Sequence, residues 1–377
     1  IGLPFFIVSS ISPLLQIWFS HIGHHTSHDT YYFFAESNAG SLIALLCYPF
    51  LLERNIGLEH QQSFWSLGYF ALCALVFSCA VLLWRTKQQD KPVSEEKPAA
   101  PEELSQLTKL HWLVLAFVPS SLLLGLTNFI STDIASVPLL WIIPLTLYLL
   151  SFILVFSKWA PKIHPAMLTL QPIVLLPFIA YSFINPAVLP YWVDLSLHLL
   201  AFFLAVMVCH GELAKRRPHT QFLTTYYLIM SFAGMLGGMF NTFVAPFIFN
   251  AVYEYPIMII AALLLRPSAK TEHSWKKQLL LDAAFPLALL VLGFTVYASL
   301  DDLPQYLDTI GVTLLLLTGL NYSFHKRSVS LSLFSGIIIF FTLGLHSLLS
   351  TTLYRERSFF GVHSVRESIL FNEKNRP

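Results

Sequence analysis

Residues 191–217 read YWVDLSLHLLAFFLAVMVCHGELAKRR. From Tyr191 to Cys209 the run is mostly apolar. It ends at His210, Gly211 and Glu212, just before the cations Lys215, Arg216 and Arg217. About 20 mostly apolar residues suffice for an α-helix to cross the hydrocarbon core of a bilayer, and Lys and Arg collect at cytoplasmic helix ends. The same pattern recurs along the chain. Twelve segments read as helix candidates, at roughly 1–19, 33–52, 65–84, 111–131, 136–156, 166–184, 191–209, 222–250, 253–265, 278–300, 305–324 and 329–350. The first carries Pro4 and Pro13. Segment 253–265 is short for a span, and reads as re-entrant or as the end of a helix broken near Pro256. The expected fold is therefore all-α, a polytopic membrane bundle of 10–12 transmembrane helices.

Composition points the same way. Of 377 residues 55% are hydrophobic and 11% charged, against about 25% charged in an ordinary soluble domain. A single soluble core has no room for that much apolar surface, whereas lipid can solvate the outer faces of a bundle. A net charge of +1 gives no basic excess for a nucleic-acid partner. Cys47, Cys73, Cys79 and Cys209 all fall in or at the end of apolar segments without CxxC spacing, so they read as buried small hydrophobes rather than a disulfide framework. No charged segment precedes the first apolar run, so no signal peptide is read. The chain reads as a piece of a longer protein.

Loop charge sets the orientation. If the loop 85–110 is cytoplasmic, strict alternation puts sixteen Lys and Arg in cytoplasmic loops and only Arg54 in the opposite ones. That bias supports both the segments and their direction. Residues 85–110 hold three prolines, five basic and five acidic residues, and they read as a flexible cytoplasmic linker between the first membrane helices (1–84) and the main bundle (111–350). Residues 351–377 turn charged, with Ser358 to Val365 reading as a short strand. By alternation this tail lies outside, although it holds five Lys and Arg.

Several stretches resemble one family. They are LPFF at 3–6 with SPLLQ at 12–16, SNAGS at 37–41 with YPFLL at 48–52, and TDIASVPLLWIIPLTLYLL at 132–150. CHGELA at 209–214, GGMFN at 237–241 with AP at 245–246, EYP at 254–256 and RSFFGV at 357–362 complete the set. Together they are similar to the membrane part of bacterial fused spermidine-synthase-like proteins, in which transporter-like helices are joined to an aminopropyltransferase-like domain. The resemblance implies a multi-pass inner-membrane location, and implies that 351–377 begins a synthase-like domain lying beyond these residues. The chain itself holds no Gly-rich nucleotide loop, so no catalytic residue and no cofactor is assigned. Three readings follow: a carrier of a small solute, polyamine-related among the candidates; a structural anchor for the linked enzyme; or a membrane-bound aminopropyltransferase whose catalytic domain lies elsewhere.

Candidate site residues are the polar groups in or beside apolar segments, because charge at a helix centre costs about 2.5–3.5 kcal/mol on insertion scales. Glu36 and Asn38 near the start of 33–52 read as a proton or cation site, or as a helix end among headgroups. His210 and Glu212 read as a gate, or as a charge cluster with the following cations. Asn241 follows Gly234, Gly237 and Gly238. Gly234 and Gly238 form a small-xxx-small pair for close helix packing, beside which Asn241 lines a substrate path or bonds across helices. A carrier predicts that Glu36, Asn38, Glu212 and Asn241 converge on one cavity, whereas an anchor predicts them scattered. Asp133 and Glu254 read as helix-start acids. His21, His24, His25 and His28 fall on one helical face, a pattern suited to Zn, Cu, Ni or Fe.

Overall fold

A computed structural model describes residues 2–20, 31–85, 104–134, 139–182, 190–269, 275–299, 307–349, 352–358 and 361–366. The chain is an α-helical bundle followed by one β-hairpin. In order come α1 (Gly2–Ser20), α2 (Tyr32–Cys47), α3 (Glu53–Asn55), α4 (Leu58–Arg85), α5 (Gln106–Phe129), α6 (Ile142–Val155), α7 (Ala160–Ser182) and α8 (Tyr191–Lys215). Then come α9 (Leu223–Met239), α10 (Ala245–Ile248), α11 (Glu254–Leu264), α12 (Trp275–Ser299), α13 (Leu307–Tyr322) and α14 (Ser328–Leu349). Strands β1 (Thr352–Ser358) and β2 (Gly361–Arg366) pair antiparallel, with Arg357 opposite Val362.

Seven spans among the described residues are long and apolar enough to cross a membrane, and three shorter apolar helices, including α6 and α11, accompany them. The protein is a multi-pass membrane protein. Short connections join successive helices from α5 to α9, so neighbours alternate in direction. The loops that carry Lys158, Lys162 and Lys215 to Arg217 thereby lie at one end of the bundle and the loop 249–253 at the other.

Helix α5 is the central element, packing against α8, α9 and α11. Two glycines set how close its neighbours come. A Cβ on Gly237 of α9 would sit 2.9 Å from the Ser121 nitrogen and 3.0 Å from the Phe117 oxygen, both α5 backbone. A Cβ added to Gly234 or Gly238 would meet nothing on a neighbouring helix closer than 3.8 Å. The close crossing thus rides on Gly237, not on the small-xxx-small pair. On the other side a Cβ on Gly125 would meet the Tyr255 Cα of α11 at 3.3 Å. Helix α4, in contrast, exposes Phe64, Trp65, Leu67 and Phe70, which point to all sides of the helix. A helix apolar on all faces is stable where lipid surrounds it.

Several boundaries differ from the sequence reading. The supposed linker ends early: Ser105 caps α5 by accepting the Leu107 N–H, and Gln106 to Leu110 form its first turn. The remainder, 86–103, lies outside the described residues. The span 222–250 runs through Pro246 without a break. A π-helical turn, Phe240–Val244, precedes α10 and keeps the helix continuous. Proline removes one N–H and crowds the preceding carbonyls, and the wider turn gives that room. Asp133 sits in a second π turn, Ile130–Ile134, at the end of α5. It is therefore not the cap of α6, which begins at Ile142 after Trp141.

Helix α11 has 11 residues, about 16 Å at 1.5 Å per residue, roughly half the hydrocarbon thickness. It is a separate helix that starts at Glu254, so the interruption lies in 249–253 rather than at Pro256. Glu254 and Tyr255 are fully buried. Glu254 does stand at a helix start, but its partner is a cation from the hairpin. Arg357 donates to both carboxylate oxygens, at 2.6 and 2.8 Å, and to the Ala251 carbonyl at 2.6 Å. The tail is thus two strands rather than one, held at the end of the bundle opposite the basic loops. Gly361, at φ +149°, opens β2 with a backbone conformation that side-chain-bearing residues rarely adopt. In β1 the Tyr354 hydroxyl donates to Glu356 at 2.6 Å, and that carboxylate holds the phenol above its usual pKa.

Candidate functional site

The end of α8 nearest Lys215, Arg216 and Arg217 carries Cys209, His210, Gly211 and Glu212, all buried. Successive residues on a helix point about 100° apart, so these side chains face different neighbours. His210 turns toward α6. Its Nδ1 lies 2.8 Å from Ser151 Oγ, and its ring stacks on Phe152 with centroids 3.8 Å apart. Ser151 gives its one proton to the Tyr148 carbonyl at 2.6 Å. The serine oxygen must then accept, which places the histidine proton on Nδ1. His210 Nε2 is left as a buried lone pair with no hydrogen-bond partner.

Glu212 turns toward α7. Its Oε1 accepts from His164 Nε2 at 2.8 Å, while Oε2 lies 3.4 Å from Arg216 Nη2. Glu212 is 2% exposed. Gly211 makes this pairing possible: a Cβ there would fall 2.1 Å from His164 Nδ1 and 2.7 Å from Cε1. The imidazole therefore lies directly on the α8 backbone. His164 Nδ1 is buried with no hydrogen-bond partner, a second unused imidazole nitrogen on the ring that meets the carboxylate.

The end of α8 is held by three aromatic donors. Tyr226 donates to the Leu213 carbonyl at 2.9 Å, Trp112 Nε1 to the Arg216 carbonyl at 3.0 Å, and Tyr31 to the Pro218 carbonyl at 2.8 Å. The last carbonyls of a helix lack intrahelical partners, and these bonds fix the terminus that carries Glu212. Of the cations beyond it, Lys215 is exposed and Arg217 lies over the Tyr31 ring at 5.2 Å.

Glu36 is exposed on α2, and Asn38 donates back to the Phe34 carbonyl at 2.7 Å. Asn241 is buried in the π turn of Phe240–Val244, in the far half of its span from the end that carries Glu212. It donates to Ser121 Oγ at 2.7 Å and to the Gly237 carbonyl at 2.9 Å. The structure brings His210 and Glu212 to one end of α8 and gathers neither Glu36, Asn38 nor Asn241 there. His21, His24, His25 and His28 lie outside the described residues. Among the described residues no group of three or more His, Cys, Asp or Glu is placed to hold a metal ion.

His164 and Ser151 were not legible as partners. Both are separated from α8 by loops, and nothing local in KIHPAM or LLSF marks them. Asp194 and His198, also passed over, did carry a signal: both are ionisable groups within the apolar run 191–209. Comparison with models of protein families, with curated proteins and with solved structures gives no match for this chain.

Proposed function

We propose that this chain is the membrane domain of a spermidine-synthase-like fusion protein, and that it moves a small solute across the bilayer with Glu212 and His164 as its proton- or cation-binding pair. One observation carries this reading. A carboxylate and an imidazole are paired 2.8 Å apart inside the bundle, with two bare imidazole nitrogens nearby, on His164 itself and on His210. A helix that only anchors an enzyme needs no such groups, and buried ionisable side chains in membrane bundles ordinarily mark ion or substrate paths. A carboxylate beside lone-pair nitrogens suits a solute that brings N–H donors and positive charge, which is the chemistry of a polyamine. The expected four-residue convergence is replaced by this two-helix pair.

The anchoring reading rests on a different observation, the buried Arg357–Glu254 contact that ties the hairpin to the bundle. Both roles are compatible in one domain.

The test is uptake of labelled spermidine into proteoliposomes. Wild-type protein is expected to exceed empty liposomes, Glu212→Gln to fall at least about ten-fold, equivalent to roughly 1.4 kcal/mol at the transport barrier, and Glu36→Gln to match wild type. Wild-type uptake equal to that of empty liposomes would sink the polyamine reading.

A further inference from the structure

The opposite end of α8 holds a second buried ionisable cluster, built from groups that the proposed carrier site does not use. Asp194, in the first turns of α8, is 8% exposed, and its Oδ1 is buried with no hydrogen-bond partner. One turn on, His198 is 1% exposed. Its Nε2 lies 3.7 Å from Asp194 Oδ1, beyond hydrogen-bond range, and its Nδ1 lies 2.8 Å from the hydroxyl of Tyr255 on α11. Phe129 of α5 and Phe178 of α7 close around the imidazole, with ring centroids at 4.7 and 4.8 Å. Between this cluster and His210, residues 204–209 of α8 are all buried and apolar.

We infer that Asp194, His198 and Tyr255 form a proton-binding site at the end of the bundle opposite the basic loops. A buried carboxylate oxygen without a donor is in its least favourable charge state, and 12% of the Asp194 side chain still reaches the surface. A hydronium ion on that side gives up one O–H bond, leaving water, as one O–H bond forms on Asp194. The neutral histidine answers through its tautomer. Against a carboxylate, the ring proton belongs on Nε2, facing Asp194, with the Tyr255 hydroxyl donating to Nδ1. Against a carboxylic acid, Nε2 must accept, so the ring gives up its Nε2–H bond for an Nδ1–H bond, one broken and one formed, and donates to the Tyr255 oxygen. Asp194 is thus the proton-binding group, and His198 and Tyr255 are positioning residues that register its state.

Among the described residues, Asp133 lies in the Ile130–Ile134 turn that packs against α8, and the neighbouring helices add the following groups. Helix α11 adds Glu254, whose charge is matched by Arg357 at 2.6 Å. Helix α7 adds Tyr181, one turn beyond Phe178, and α5 faces the imidazole with Phe129. The site does not depend on the chain carrying a solute, so a negative uptake result leaves it standing.

The test is solid-state NMR of the full chain in liposomes with 15N-labelled histidine, the His198 signals being assigned by their loss in His198→Gln. Between about pH 8 and pH 4, across the ordinary His and Asp ranges, the wild-type ring proton is expected to move from Nε2 to Nδ1. Asp194→Asn is expected to hold one tautomer throughout, and Tyr255→Phe to change the Nδ1 shift while keeping the transition. A wild-type tautomer that never changes, or one that changes identically in Asp194→Asn, would overturn the proposal. Should Asp194→Asn not fold, the wild-type titration decides alone.

Discussion

Arg357→Ala is expected to be the most damaging single substitution outside the helices, destabilising the protein by about 3–5 kcal/mol, the usual penalty for breaking a buried ion pair from one side. The guanidinium makes three bonds of 2.6–2.8 Å, and its side chain is 4% exposed against 0% for Glu254. Its removal strands a carboxylate in the interior. The α11 N-terminus offsets only part of that, since a helix end is worth up to about 2 kcal/mol to a partly buried charge. The Ala251 carbonyl also loses its donor. Thermal unfolding in detergent should show the loss, and limited proteolysis should cut near 352–366 in the variant at protease levels that spare wild type. In Glu254→Gln/Arg357→Ala the stranded charge is gone, so the double variant should be more stable than Arg357→Ala. Equal unfolding temperatures for wild type and Arg357→Ala would show that the pair does not hold the hairpin.

Gly211→Ala is expected to have the largest effect per atom added. One methyl group would have to occupy the position of the His164 ring, 2.1 Å from Nδ1. The helix backbone cannot yield without losing the aromatic bonds at its end, so the imidazole must leave Glu212. Overpacking of this kind costs about 1–3 kcal/mol, and loss of the His164–Glu212 contact should lower spermidine uptake as far as Glu212→Gln does. The companion variant separates the two effects. Gly211→Ala/His164→Ala removes the clash, so thermal stability should recover while uptake stays low. Recovery of both would mean that His164 matters only for packing.

The membrane architecture was legible because it depends on properties that add up along the chain. Apolar runs of span length and the side of each Lys and Arg needed no tertiary information, and the helices follow those segments closely. What stayed hidden depends on which surfaces meet. Gly237 and Gly238 look equivalent in GGMF, and only the α5 backbone tells them apart. Glu36 reads as an intramembrane acid by position but lies exposed on α2, whereas Glu212 reads as one more charge in a basic cluster but lies buried against His164. CHGELA stood out through family resemblance alone. Its physical content, one side chain for α6, one for α7, and a glycine to seat a ring between them, needs α7 in place to be seen. Ser358 to Val365 reads as one strand because Phe359, Phe360, Val362 and Val365 are strand formers. In the structure β1 ends at Ser358 and β2 begins at Gly361, paired antiparallel.

The central claim is a multi-pass bundle with its basic loops at one end and its hairpin at the other. Single cysteines placed in a variant lacking Cys47, Cys73, Cys79 and Cys209 test it directly. Lys162→Cys, Lys326→Cys, Asn250→Cys and Tyr354→Cys all occupy exposed positions. With a membrane-impermeant maleimide, right-side-out vesicles should label positions 250 and 354 and not 162 and 326, and inverted vesicles the reverse. Labelling of 354 on the same side as 162 would contradict the account.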